Sequence, residues 1–215
     1  MEKNPFKWPL SAICGVLVIF LEMTFTLTAI LLWPSSSGTF SVFTNYHSEL
    51  GVSAPGYNSF LGAKYYNASQ TIQGTLVIMF FGGLYVLSQE DDERSGKLIL
   101  GQIFGIITGF AWLMIGVYPG ELLLWHLLWA NIYFIAFIPA MILISKEILE
   151  NPDYNNSVGY FGIIAVIIDL VFLVLSIVIS DGALLPFMLF MEWVMVWSSE
   201  VWVLLVALNV LKVEG

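Results

Sequence analysis

The residues best equipped for chemistry stand in one run, Asn45, Tyr46, His47, Ser48 and Glu49, followed by Leu50 and Gly51. An amide, a phenol, an imidazole, a hydroxyl and a carboxylate in succession offer donors, acceptors and two groups that exchange protons readily. A second set follows Gly116-Val-Tyr-Pro-Gly, where Glu121 precedes His126 by five positions. Asp181 stands in a later polar turn. General acid–base chemistry would fall to Glu49 and His126, with Asn45, Tyr46, Ser48, Glu121 and Asp181 holding a ligand. A third set, Glu22, Asp169, Glu192 and Glu200, lies inside apolar runs. Such acids suit a proton or cation path.

Each set has a plainer reading. Glu121 complements a helix N-terminus, where negative charge is favoured. Asn67 followed by Gln70 reads as a helix N-cap with its capping partner, ahead of a glycan acceptor at Asn67-Ala68-Ser69. His47 reads as an ordinary wet loop histidine. His126 is expected to point inward, because an imidazole facing lipid is costly. Two histidines with two or three carboxylates reach the ligand count of a catalytic zinc site. His47 and Glu49 lack a known ligand spacing, however, and Glu121 and His126 do not share a helix face. The expectation is therefore no cofactor, a divalent metal being the exception that the ligand count leaves open. A serine hydrolase using Ser48 with His126 lacks a nucleophile-elbow context.

The elements that must position these groups follow from composition. The chain is 59% hydrophobic and only 11% charged, with a mean hydropathy of +0.87, whereas a soluble domain is about a quarter charged. Lipid must solvate most of it. Cys14 is the single cysteine, so no disulfide framework exists. Much of the formal charge of −9 comes from Gln89-Glu-Asp-Asp-Glu-Arg94, a solvated loop. No basic patch suggests nucleic acid.

Apolar runs long enough to cross about 30 Å of hydrocarbon predict a six-transmembrane-helix bundle, all-α and one domain. The spans are Leu10–Trp33, Ala68–Ser88, Leu98–Tyr118, Leu122–Ser145, Val158–Ser180 and Ala183–Leu211, with an external loop over 34–67 capping the outer helix ends. The first run is too long for a signal-peptide core and is read as a retained span. Lys3, Lys7, Arg94, Lys97, Lys146 and Lys212 fall on one side of this topology and Lys64 on the other. Both termini are therefore expected in the cytoplasm, with the protein in the plasma membrane. Trp8 should mark the inner interface, and Trp33, Tyr118 and Trp125 the outer one.

Gly101, Gly105 and Gly109 form a small-residue stripe for close helix approach. Pro139 predicts a kink in the fourth span. No lysine or arginine inside a span pairs the four acids, and each charged carboxylate at the bilayer centre costs about 2.5–3.5 kcal/mol. They must be protonated, share protons, bind a cation or line a wet cavity. Glu192 and Glu200, eight apart, can flank one seam, with Ser198, Ser199, Thr24, Thr26 and Thr28 as hydrogen-bond partners. The plainer reading makes them neutral helix glue.

Asn45, Tyr46, Ser48, Glu49, Leu50 and Gly51, then Asn67, then Gly116, Tyr118 and Pro119, then His126, form a pattern that resembles a prokaryotic membrane family catalogued as domain of unknown function 998. The likeness covers roughly the first four spans, and His47 occupies a variable slot of its motif. It implies a six-helix membrane protein and carries no established activity. Three functions follow as expectations. The first is an outward-facing polar site that binds or modifies a lipid headgroup or small polar ligand. The second is a proton- or cation-coupled transporter. The third is an accessory subunit whose acids face partner membrane chains or a second copy of itself.

Overall fold

The computed structural model describes residues 9–87, 95–179 and 181–214. Lys3, Lys7, Trp8, Arg94 and the acidic cluster lie outside the described residues. Six helices carry the fold: α1 (Leu10–Leu31), α2 (Phe60–Gly83), α3 (Gly96–Val117), α4 (Leu123–Glu150), α5 (Asn156–Val178) and α6 (Leu185–Glu214). All six are long and apolar enough to cross a membrane. Each packs against its neighbours in sequence, and α1 also packs against α6, so the helices close into a ring. The chain between α1 and α2 folds over one end of this ring, the cap end.

Helix starts are set by local hydrogen bonding. The side chains of Ser59, Ser95 and Asn155 accept from the backbone N–H groups of Gly62, Leu98 and Ser157, satisfying donors that would otherwise be orphaned in lipid. The cap of α2 is thus Ser59, not Asn67. The helix begins eight residues before the expected span, and the loop shortens to 32–59. Hydropathy misplaced this start because Lys64, Tyr66, Asn67, Gln70 and Gln73 lie in the first four turns.

The glycine stripe of α3 is a packing surface. A Cβ on Gly109 would lie 2.7 Å from the Ile78 backbone nitrogen, and one on Gly74 of α2 would lie 2.2 Å from that of Leu113. These two backbones meet with no room for a methyl group. At the end opposite the cap, α4 and α5 meet the same way, since Gly159 and Gly162 sit against Leu149 and Ser145. Pro139 lies within α4, which runs on to Glu150. That far end is fastened by polar bonds: Asn151 donates to the Leu87 carbonyl at 3.1 Å, Ser95 to Glu147 at 2.6 Å, and Lys97 pairs with Glu150. Lys97, Lys146 and Lys212 lie towards this end and Lys64 at the cap end.

Inside the ring the two halves differ. The half remote from the cap is filled by Phe80, Phe81, Ile144, Trp202, Val203 and Val206, all fully buried. The half nearer the cap holds the polar side chains. At about 1.5 Å of rise per residue, Glu22, Gln70, Tyr133, Asp169 and Glu192 lie roughly 10–15 Å below the cap-end termini of their helices.

Gly74→Ala is expected to cost about 1–3 kcal/mol through overpacking against backbone. Gly82→Ala, where an added Cβ meets nothing, should leave the melting temperature unchanged or slightly raised; thermal unfolding in detergent compares the two.

Candidate functional site

The site is built where the cap enters the ring. Residues His47–Gly51 form a short 3-10 turn that carries His47 to 4% exposure. Its Nε2 lies 2.8 Å from Glu22 Oε1 of α1, its Nδ1 lies 2.7 Å from the Tyr66 hydroxyl of α2, and its backbone N–H donates to Glu192 Oε2 of α6 at 2.8 Å. The ring packs edge-on against Trp193 at 4.5 Å between centroids. His47 is therefore not a wet loop histidine. It is the plug that joins the cap to three helices.

Glu22 collects donors from every side. Thr26 donates to Oε1 at 2.5 Å, and Gln73 and Gln70 donate to Oε2 at 2.9 and 3.3 Å. Gln70 in turn accepts from Trp112 Nε1 of α3 at 2.6 Å. A carboxylate so surrounded is solvated by protein in place of water. Of the three threonines expected to serve the acids, only Thr26 does so; Thr24 and Thr28 bond to carbonyls of their own helix. Ser199 donates to Asp169 Oδ1 at 3.2 Å, while Ser198 bonds to Met195. Among the described residues, Asp169 Oδ2 and both oxygens of Glu200 have no hydrogen-bond partner.

The cap is locked by the motif residues. Asn45 donates to Glu49 Oε2 at 2.8 Å, and its carbonyl accepts from Trp193 Nε1 at 3.0 Å. Asn67 donates to the Gly51 carbonyl at 2.8 Å, and a Cβ on Gly51 would lie 2.3 Å from the Asn67 side chain. Asn58 donates to the carbonyls of Ala29 and Leu50. Glu121, exposed in the turn before α4, accepts from both N–H and hydroxyl of Ser53, tying the cap to the α3–α4 connection. Its carboxylate thus fastens the cap from the short turn that leads into α4.

Beneath the cap lies a cavity of about 890 Å³, walled by α2, α3, α4, α5 and α6. Tyr46, His47, Ser48, Glu49, Glu121, His126 and Glu192 line it, so it gathers candidates from the cap, the α3–α4 turn and α6. Glu49 and His126 share this chamber. His126 is buried as expected, with Nδ1 donating to the Tyr118 carbonyl at 3.0 Å. Asp181 is exposed and does not line the cavity. Glu22, Asp169 and Glu200 lie outside the lining as well. No three His, Cys, Asp or Glu side chains among the described residues converge to hold a metal ion.

The side wall between α4 and α5 is largely apolar, formed by Leu127, Ala130 and Phe134 of α4 with Phe172, Leu173 and Ile177 of α5. Leu127, Asn131, Ser176 and Ile177 are also exposed on the outside of the bundle, so the chamber reaches the lipid-facing flank between α4 and α5. Burial holds the Glu49 carboxyl above the ordinary carboxylate value, against the opposing Asn45 bond. The Tyr46 phenol is raised too, by burial first and then by the charges of Glu192 and Glu49. Three carboxyl side chains, Glu49, Glu121 and Glu192, line the space under the cap.

From the sequence His47 reads as a loop histidine and Gln70 as a capping partner, and nothing local singles out Tyr66, Gln73 or Trp112; the structure brings all five together. The sequence signal for the glutamines is their spacing, three apart and so on one helix face of the second span. The chain matches no protein family, no curated protein and no solved structure with which it was compared.

Removing His47 leaves Glu22 buried and short of a donor. His47→Ala should cost about 3–5 kcal/mol, and in the double variant with Glu22→Gln the losses should be less than additive; a double-mutant cycle of melting temperatures in detergent measures this. Because the folded state holds the Glu49 proton more tightly than the unfolded chain, ionisation of Glu49 opposes folding above the raised value and has no effect below the ordinary one. Glu49→Gln should therefore melt above the wild type at pH 8, the two converging near pH 4 and below.

Proposed function

We propose that this protein is a plasma-membrane protein that binds an amphiphile, a lipid headgroup or small polar ligand with its apolar part, in the chamber beneath the cap. The cap faces outward and both termini lie in the cytoplasm, a direction supported by the basic residues at the end remote from the cap. The observation that carries the reading is one cavity that joins polar groups of the cap, α2, α4 and α6 to an apolar side wall between α4 and α5. Such a shape suits a molecule with a polar head and a hydrocarbon tail, arriving sideways from the bilayer. Ser48 and Glu121 position the head, and Glu49 with His126 supplies the acid–base pair for any turnover of it.

A second reading, a proton or cation path through Glu22, Asp169, Glu192 and Glu200, draws on the orphaned oxygens of Asp169 and Glu200. Beyond Glu200 the ring is packed chiefly with apolar side chains, among which Ser11, Gln102, Ser145 and Asn209 are buried singly, and no further buried acid follows among the described residues. Binding is favoured over passage.

The test is native mass spectrometry of protein purified from membranes, with bound amphiphile quantified. Leu127→Trp and Ile177→Trp, which fill the flank, should each lower occupancy about tenfold, the effect of roughly 1.4 kcal/mol. Leu124→Trp, equally lipid-exposed but outside the cavity wall, should not. An empty wild-type protein, or flank variants that bind as well as the wild type, would overturn the proposal.

A further inference from the structure

Three polar groups in the chamber are more than nine-tenths buried and have a free atom among the described residues. Glu192 uses Oε2 for the His47 N–H, and its Oε1 has no hydrogen-bond partner. Tyr133, 5% exposed, makes no hydrogen bond through its hydroxyl. His126 is the informative one. Its Nδ1 faces a carbonyl, which can only accept, so Nδ1 carries the proton. The neutral ring then presents Nε2 to the chamber as a lone pair. Two of the three free groups are acceptors and the third can act as one. All three belong to residues that line the cavity.

The charged residues agree. Glu49, Glu121 and Glu192 line the chamber, and among the described residues no lysine or arginine does. Lys64, at the same end, is exposed and sits over the Phe60 ring at 5.5 Å. His47 cannot answer an anion, because both its ring nitrogens are already engaged by Glu22 and Tyr66. A phosphate, sulfate or carboxylate head would meet carboxylates and lone pairs with no countercharge, a costly arrangement out of water. A protonated amine would meet acceptors for its N–H donors and a carboxylate for its charge. Tyr46, Trp112 and Tyr133 put aromatic surface in the lining, the kind of surface that attracts a cation.

We propose that the chamber is selective for a primary ammonium head on an apolar tail, with Glu192, His126 and Tyr133 as its direct partners and Glu49 completing the negative field. This specificity rests on the amphiphile-binding reading given above and narrows its ligand to one chemical class. The amine could belong to a membrane amphiphile or to a soluble amine.

The test is a thermal-shift series on the purified full-length protein in maltoside micelles, at matched micellar mole fraction. The probes are dodecylamine hydrochloride, dodecyltrimethylammonium, dodecanol and dodecyl sulfate, with butylamine as the water-soluble arm. Dodecylamine should stabilise most, trimethylammonium less because it lacks N–H donors, dodecanol less again, and the sulfate not at all. Glu192→Gln keeps an acceptor for the His47 N–H and removes the charge; it should weaken dodecylamine about tenfold or more and leave dodecanol unchanged. Tyr133→Phe, which deletes one free hydroxyl, should weaken dodecylamine several-fold and supplies the answer if the Glu192 variant does not fold. Dodecanol or dodecyl sulfate binding as well as dodecylamine would overturn the ammonium specificity while leaving amphiphile binding intact. Butylamine binding as well as dodecylamine would keep the ammonium site and remove the lipid reading. No stabilisation by any probe would overturn both.

Discussion

The contact between His47 and Glu22 is the constraint on which the rest depends. Glu22 sits fully buried in a ring whose spans carry no basic side chain facing it, so its carboxylate must be solvated by donors brought from elsewhere. Three come from α1 and α2, and the fourth comes down from the loop. The dependence runs both ways. Ordering the loop costs about 1–2 kcal/mol of backbone entropy per residue, and few of its side chains are buried deeply enough to offset that. His47, Leu50, Val52 and Asn58 are the ones that are. The cap is ordered because the bundle has an acid to satisfy, and the acid is tolerated because the cap reaches it.

Around this plug the motif residues divide into fasteners and lining. Asn45, Gly51, Asn67 and Gly116 hold backbone against backbone: a Cβ on Gly116 would lie 2.5 Å from the Asn67 carbonyl oxygen, so α3 and α2 meet where Asn67 grips the cap. Ser48, Glu49 and His126 instead turn towards the chamber. A short pattern spread over three segments thus encodes a single assembly, the lid and the seat it closes on. The α4 and α5 backbones meet at glycine contacts remote from the cap, and Phe134 and Phe172 pack ring to ring where both line the chamber.

Much of this architecture is readable from the chain alone. Six spans, the close approach along the α3 glycines and an inward His126 all follow from the cost of polar groups and voids in lipid, which acts at each residue separately. The start of α2 does not, because its inner face is polar on account of the site, and a hydropathy reading treats polarity as an ending. His47 and Asn67 are missed for a related reason. Their roles are contacts across 25 and 16 positions of sequence, and no local period records such a pairing. Asp181 was grouped with the site because it stands in a cap-end turn, yet sharing an end of the bundle does not set the direction of a side chain.

The aromatic and aliphatic side chains packed below Glu200 close the chamber on the side remote from the cap. On the proposed reading, an occupant that enters between α4 and α5 exchanges with one half of the bilayer. Its occupancy would then follow the abundance of that molecule there, whatever the gradient across the membrane.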